Sequence, residues 1–191
     1  MSNLTKKIDF AVAGEIQQGP LDAAKRTIQE AALEGNIAAR RGDGLEIIEP
    51  GEVDVVVIAG MGGSAIRRIL ERSPEITKRL KRLVCQPMIG GGGLRGWLQE
   101  NAWNIVAENL VFEDGHLYEV IVAEQGKAQP MDELMLEIGP LLWQQRHPLL
   151  LEHLKRIKRQ YEKRVGEMVY SQTQIVKDGR HAYQKKIEAL E

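Results

Sequence analysis

The sequence predicts an α/β fold: a doubly wound sheet closed by an antiparallel strand pair and followed by a helical appendage. Three observations predict it. Val53-Asp54-Val55-Val56-Val57-Ile58 has five β-branched or aliphatic residues in six and runs into Gly60-Met61-Gly62-Gly63, as expected for a strand buried on both faces that ends in a tight turn. Glu113-Asp114-Gly115 separates two strand-like runs, and Asp-Gly suits a type I′ hairpin turn. After Pro130 the apolar spacing changes to steps of three and four, a helical period.

Each element follows from local chemistry. Ile8 to Ala13 reads as a strand ending at Gly14-Glu15. Pro20 then suits a first helical turn; Leu21, Ala24, Ile28 and Ala32 recur at helical spacing, and Gly35 is placed to close the helix. Ile37 to Arg41 is a short strand stopped by Gly42-Asp43-Gly44, and Leu45, Ile47 and Ile48 predict a helical turn. Ser64 is suited to cap a helix with Ile66, Ile69 and Leu70 on its apolar face. Ser73-Pro74 restarts a helical segment through Leu80, and Arg82 to Gln86 is a further strand ended by Pro87. Gly90 to Gly93 is too flexible for a strand; Leu94, Trp97 and Leu98 give the following helix its apolar face. Ile105 to Phe112 and His116 to Glu124 are the hairpin strands.

The tail carries Leu134, Ile138, Leu142, Leu150, Leu154, Ile157, Tyr161, Val165, Met168, Gln172 and Ile175, close to a coiled-coil seam. Asp178-Gly179 breaks it, and Tyr183, Ile187 and Leu190 are spaced to run back. Two divisions are therefore expected: residues 1–129 as the α/β domain and residues 130–191 as a helical hairpin.

Composition narrows the function. The chain has 191 residues and a formal net charge of -1, so its global charge points to no polyanionic partner. Its single cysteine, Cys85, excludes a disulfide framework or a zinc cluster. Residues 1–7 are polar, the apolar run after them is too short for a signal core, and no run approaches the ~20 residues of a membrane span. A cytoplasmic setting is expected, with no membrane partner. His116, His147, His153 and His181 lack metal-ligand spacing, so neither a metal nor a nucleophile–base pair is assigned.

The candidate site lies at strand ends, where doubly wound sheets bind their ligands. Glu15 is suited to accept both hydroxyls of a ribose; otherwise it is a surface charge at a helix entry. Asp43 is suited to bond an adenine amino group, or is a turn residue of the Asx kind. The turn Gly60-Met61-Gly62 lets a ligand approach backbone, or is only a tight connection. From Leu149 to Lys186 there are ten Lys/Arg and four Asp/Glu, about +6. A single-sign excess on a helix favours a phosphate-bearing partner over a merely solvated face.

This element order is that of class I (Rossmann-like) S-adenosylmethionine-dependent methyltransferases, and other α/β families share it. Motifs narrow the choice. Ala13-Gly14-Glu15 with Gly19-Pro20, Gly42-Asp43-Gly44-Leu45 and Val57-Ile58-Ala59-Gly60-Met61-Gly62-Gly63 occur together. Gln86-Pro87, Arg95 with Trp97-Leu98, and Glu113-Asp114-Gly115 with Tyr118-Glu119 extend the pattern. Over Ile8 to about Glu124 the chain resembles the bacterial tRNA (adenine-22-N1)-methyltransferase family of the TrmK type.

The resemblance implies S-adenosyl-L-methionine as methyl donor and tRNA as partner. By resemblance, Glu15 holds the ribose, Asp43 and Gly44 the adenine, and Gly60, Met61 and Gly62 the methionine end and the target base. Gln86, Arg95, Lys155, Arg156 and Arg159 are expected at the RNA substrate. The family also begins with a further strand and a loop of the type Asp-Ile-Gly-(Ser/Thr)-Asp-His-Ala-Tyr-Leu-Pro, which this sequence does not contain. The expectation is an N-terminally incomplete chain with a central strand missing between the Ile8 and Val53 strands. A non-catalytic RNA-binding remnant of the family is the alternative. A nicotinamide-dependent oxidoreductase is disfavoured, because no Gly-x-Gly-x-x-Gly follows the first strand.

Overall fold

The computed structural model describes residues 9–168 together with 184, 185 and 188. The chain divides into two compact units: Met1–Val56 with Arg67–Arg82, and Val57–Ile66 with Leu83–Glu191.

In the first unit, β1 (Ala11–Glu15) pairs in parallel with β2 (Ile37–Arg41), so that Glu15 stands opposite Arg41. The crossover is helix α1 (Gln18–Glu30). It ends before Gly35: Ala32 takes a left-handed φ of 52°, and the Leu33 amide reaches back to the Ile28 carbonyl at 3.0 Å. The stop expected of glycine is thus made by an alanine, whose left-handed strain is offset by the recovered hydrogen bond. A single 3-10 turn, Gly44–Ile47, follows β2 and buries Leu45. Arg40 clasps Glu52 at 2.8 and 2.5 Å and the Ile47 carbonyl at 2.8 Å, closing the loop behind that turn.

The second sheet has the order β3-β4-β6-β5, formed by β3 (Val55–Met61), β4 (Arg82–Pro87), β5 (Trp103–Glu113) and β6 (His116–Gln125). The Arg82 amide bonds Asp54 O at one end of the β3–β4 pair and the Met88 amide bonds Met61 O at the other, so these two strands run in the same direction. β3 is not buried on both faces: Val56 and Ile58 are buried, whereas Val55 and Val57 are 47% and 68% exposed. A run of valines reports β propensity, and burial is decided by what covers each face.

Helix α2 (Gly63–Arg72) starts two residues earlier than predicted. The Ile66 amide bonds Gly62 O at 3.0 Å, so Gly62 holds the cap position and Ser64 lies inside the helix. The segment after Ser73 is the single turn α3 (Pro74–Thr77). Helix α4 (Gly91–Glu100) begins within the four-glycine run and buries Leu94, Trp97 and Leu98. The hairpin is antiparallel, and its turn residues Asp114 and Gly115 have φ of 49° and 76°, the two positive values that a type I′ turn requires.

The tail is interrupted where a continuous seam was expected. It forms α5 (Glu133–Ile138), α6 (Pro140–Gln144) and α7 (Leu150–Met168). Asp132 caps α5 through the Met135 amide at 2.8 Å, and Gly139, with φ 100°, separates α5 from α6. On α7 the buried stripe is His153, Ile157 and Tyr161, so His153 takes the interior place that the spacing gave to Leu154. The expected seam residues Gln172 and Ile175 and the break at Asp178-Gly179 lie outside the described residues, as does most of the return segment.

Candidate functional site

In the first unit, Glu15 and Asp43 close the carboxyl ends of neighbouring parallel strands. The Glu15 Oε1 accepts the Gln17 amide at 2.9 Å, which fixes the carboxylate beside the entry to α1. Among the described residues its Oε2 takes no hydrogen bond. The Gly42 amide donates to Glu15 O at 3.1 Å, tying the two strand ends together. Asp43 accepts from Arg72 Nη1 at 2.8 Å, and the same guanidinium reaches Glu46 at 2.9 Å. Those two carboxylates raise the Arg72 pKa above its ordinary value. Gly44, with φ 62°, packs so closely on Ile69 that a Cβ would stand 2.8 Å from its methyl carbon.

In the second unit, the turn Gly60–Gly62 ends β3. Gly60 has φ 74°, and no heavy atom lies within 4 Å of the place where a Cβ would sit, so one side of its backbone is open to a ligand. The Gly60 amide donates to Gln86 Oε1 at 2.8 Å, and Gln86 Nε2 donates to the Met88 sulfur at 3.4 Å. Gln86 therefore braces the glycine turn. Met61, Met88 and Ile89 leave partly exposed apolar side chains around it. Cys85, one residue before Gln86, is buried, and burial pushes its thiol up to about 12, so it stays protonated.

Two residues expected at the RNA are engaged inside the fold. Arg95 has 0% exposure and bonds Glu108 at 2.6 Å, the Leu136 carbonyl at 2.9 Å, and Glu119. Arg156 turns inward to the Leu117 carbonyl at 3.1 Å and to Glu119 at 3.3 Å. Charged groups in a buried position need such partners, and these contacts take both arginines away from a surface substrate. Lys155 and Arg159 are exposed instead, with Lys163 one turn further. Positions 155, 159 and 163 form one stripe at steps of four, on the side of α7 away from 153, 157 and 161.

Sequence reasoning missed the carboxylates and the imidazole that hold these arginines. Glu119 alternates with buried Ile121 and Ala123, and Glu108 alternates with buried Leu110; that period of two was the available signal. Burial favours the neutral acid of Glu119, but Arg95, His153 and Arg156 outweigh it and hold the carboxyl below its ordinary value. His153 bonds the Ile138 carbonyl at 2.9 Å, and burial pushes its imidazole down to about 4. Among the described residues, no group of three or more His, Cys, Asp and Glu is placed to hold a metal ion, and no helix is long and apolar enough to cross a membrane.

Comparisons with known proteins identify the family and the fold. A protein of Bacillus subtilis, a tRNA (adenine(22)-N(1))-methyltransferase, is 38% identical over 154 residues, which cover 78% of this chain and 65% of that protein. The matched stretch thus spans just under two thirds of that relative. The crystal structure of the Bacillus subtilis enzyme superposes with a TM-score of 0.81 at 32% identity, covering 95% of this chain and 80% of the other. A Streptococcus pneumoniae protein, described as a putative tRNA (m1A22) methyltransferase and solved in complex with S-adenosyl-L-methionine, gives 0.82 at 31% identity, covering 96% and 80%. The architecture is that of a Rossmann-like methyltransferase. The sequence model of the TrmK family, tRNA (adenine(22)-N(1))-methyltransferase, matches residues 3–191, and the chain belongs to that family.

Proposed function

We propose that this protein transfers a methyl group from S-adenosyl-L-methionine to N1 of an adenine in tRNA, position 22 by family. The observation that carries the reading is the open glycine turn braced by Gln86 in a chain of this family. When bound, the donor supplies a methyl group on a positively charged sulfur. Adenine N1 has an in-plane lone pair at neutral pH. A bond forms from N1 to the methyl carbon as the bond from sulfur to that carbon breaks, and the electron pair stays on sulfur. The nucleophile needs no activation, so the protein's work is alignment and exclusion of water.

Glu15 suits the ribose hydroxyls through its open oxygen, and Asp43 with Gly44 suits the adenine of the donor. Gly60, Met61 and Gly62 suit the methionine end and the target base, because bare backbone admits a flat or elongated group closely. The exposed stripe of Lys155 and Arg159 suits the phosphates of folded RNA, whose backbone fixes register while its shape guides the base. In this reading residues 1–129 hold the donor, the tail from residue 130 meets the tRNA through the exposed face of α7, and the enzyme works in the cytoplasm.

The test is transfer of labelled methyl to unmodified tRNA by the full chain, with tRNA carrying guanine at position 22 as control. Label at N1 of adenine in the first RNA alone is expected. No transfer to either RNA overturns the reading.

A further inference from the structure

Half-buried Arg156 on α7 reaches the buried Glu119 carboxylate, which buried Arg95 shares and which sits over the start of α4, next to the glycine turn. Each link is local to the second unit. Arg156 on α7 bonds Glu119 at 3.3 Å, and Glu119 bonds Arg95 on α4. The Glu119 carboxylate also lies directly over the start of α4: a Cβ on Gly91 would stand 2.5 Å from its Oε2. Gly90, the preceding residue, is left-handed with φ 73°. Its carbonyl is packed so tightly on Gly63 that a Cβ on Gly63 would collide with it. Two backbone hydrogen bonds lace the same segment to the turn, Gly63 N to Ile89 O and Met88 N to Met61 O, both 2.8 Å.

We infer that Glu119 is a positioning residue that registers helix α7 against the Gly60–Gly63 turn, with Arg156 as the link on the helix side. This rests on the proposed reading of α7 as the RNA-gripping element and of the turn as the reaction end. Two arginines face two carboxylates, Glu108 and Glu119. Buried ionic clusters of this kind contribute little net stability and serve best where one arrangement must be chosen over others. A stem gripped on α7 thereby acquires a fixed distance to the turn, as alignment of N1 with the donor methyl demands.

The test is amide hydrogen exchange on the full-length wild type, Arg156→Ala, Arg156→Lys and Glu119→Gln. Both Arg156→Ala and Glu119→Gln are expected to accelerate exchange at least about threefold in peptides covering residues 57–66 and 86–94, with β1, α1 and β2 unchanged. Arg156→Lys is expected to restore part of the protection. Arg156→Ala is the informative variant if Glu119→Gln unfolds. Acceleration confined to α7, or spread evenly over the chain, overturns the inference. This readout needs no turnover, so it fails or succeeds independently of the methylation assay. Where methylation is measured, Arg156→Ala should lower kcat about tenfold with KM for tRNA unchanged. A raised KM with kcat intact would instead make Arg156 an RNA contact.

Discussion

The amide of Gly60 and the side-chain oxygen of Gln86 are joined at 2.8 Å across the ends of β3 and β4. A glycine turn with φ 74° gains its shape from its lack of a side chain and its fixity from this neighbour. Replacing Gln86 with Ala removes the acceptor at a cost of about 1 kcal/mol. The larger effect is expected in turnover: methyl transfer should fall about tenfold through misalignment of the turn, with thermal stability little changed. Gln86→Glu, which keeps the acceptor, should retain most of the rate. Steady-state kinetics beside a melting curve separates the two effects.

Gly91 and Gly93 lie in the same helix turn and should respond oppositely to alanine. A Cβ at Gly91 meets the Glu119 carboxylate, which two arginines hold in place, whereas a Cβ at Gly93 meets nothing within 4 Å. Gly91→Ala is expected to cost roughly 2–3 kcal/mol by overpacking and to lower Tm by about 5–10 °C. Gly93→Ala, on the exposed side of α4, should be neutral or stabilise by up to about 1 kcal/mol through helix propensity. Calorimetry on the two variants decides the matter.

Acid should weaken the fold above the range where carboxylates titrate. His153 is pushed down to about 4 by burial, against about 6.5 in an unfolded chain. Between those values the unfolded state binds a proton that the native state excludes. Stability is therefore full above about pH 6.5 and falls towards pH 4, by roughly 3 kcal/mol at most. Glu52, held down to about 2 by its bonds to Arg40 and the Glu49 amide, contributes stability that is lost only below about pH 4.5. Denaturant melts from pH 7 to 5 should show the His153 slope, and His153→Gln should flatten it.

The outward and inward cations of α7 should separate in RNA binding. Removing Lys155 and Arg159 together is expected to weaken tRNA affinity and to reduce the slope of log K against log salt by about two, one for each lost phosphate contact. Arg156→Ala should leave that slope unchanged, because its guanidinium is spent on Leu117 O and Glu119. Filter binding across a salt series measures both.

Much of this protein is written in its local sequence. Ile37–Arg41, the Asp114-Gly115 turn and the apolar face of α4 are where propensity and patterning put them, because turns and amphipathic faces depend on neighbours within a few residues. The strand-end motifs around Glu15, Asp43 and Gly60 were legible for the same reason. What the sequence could not determine is where each charge goes. Arg95 and Arg156 look like surface cations until Glu108 and Glu119, distant in the chain, remove them from water. Likewise Gly139 ends a helix in a place pressed by Arg95 and Glu108, and His153 enters the core in place of Leu154. A buried ion pair exists only where several elements converge to exclude solvent and supply both partners, and that convergence is a property of the tertiary structure alone.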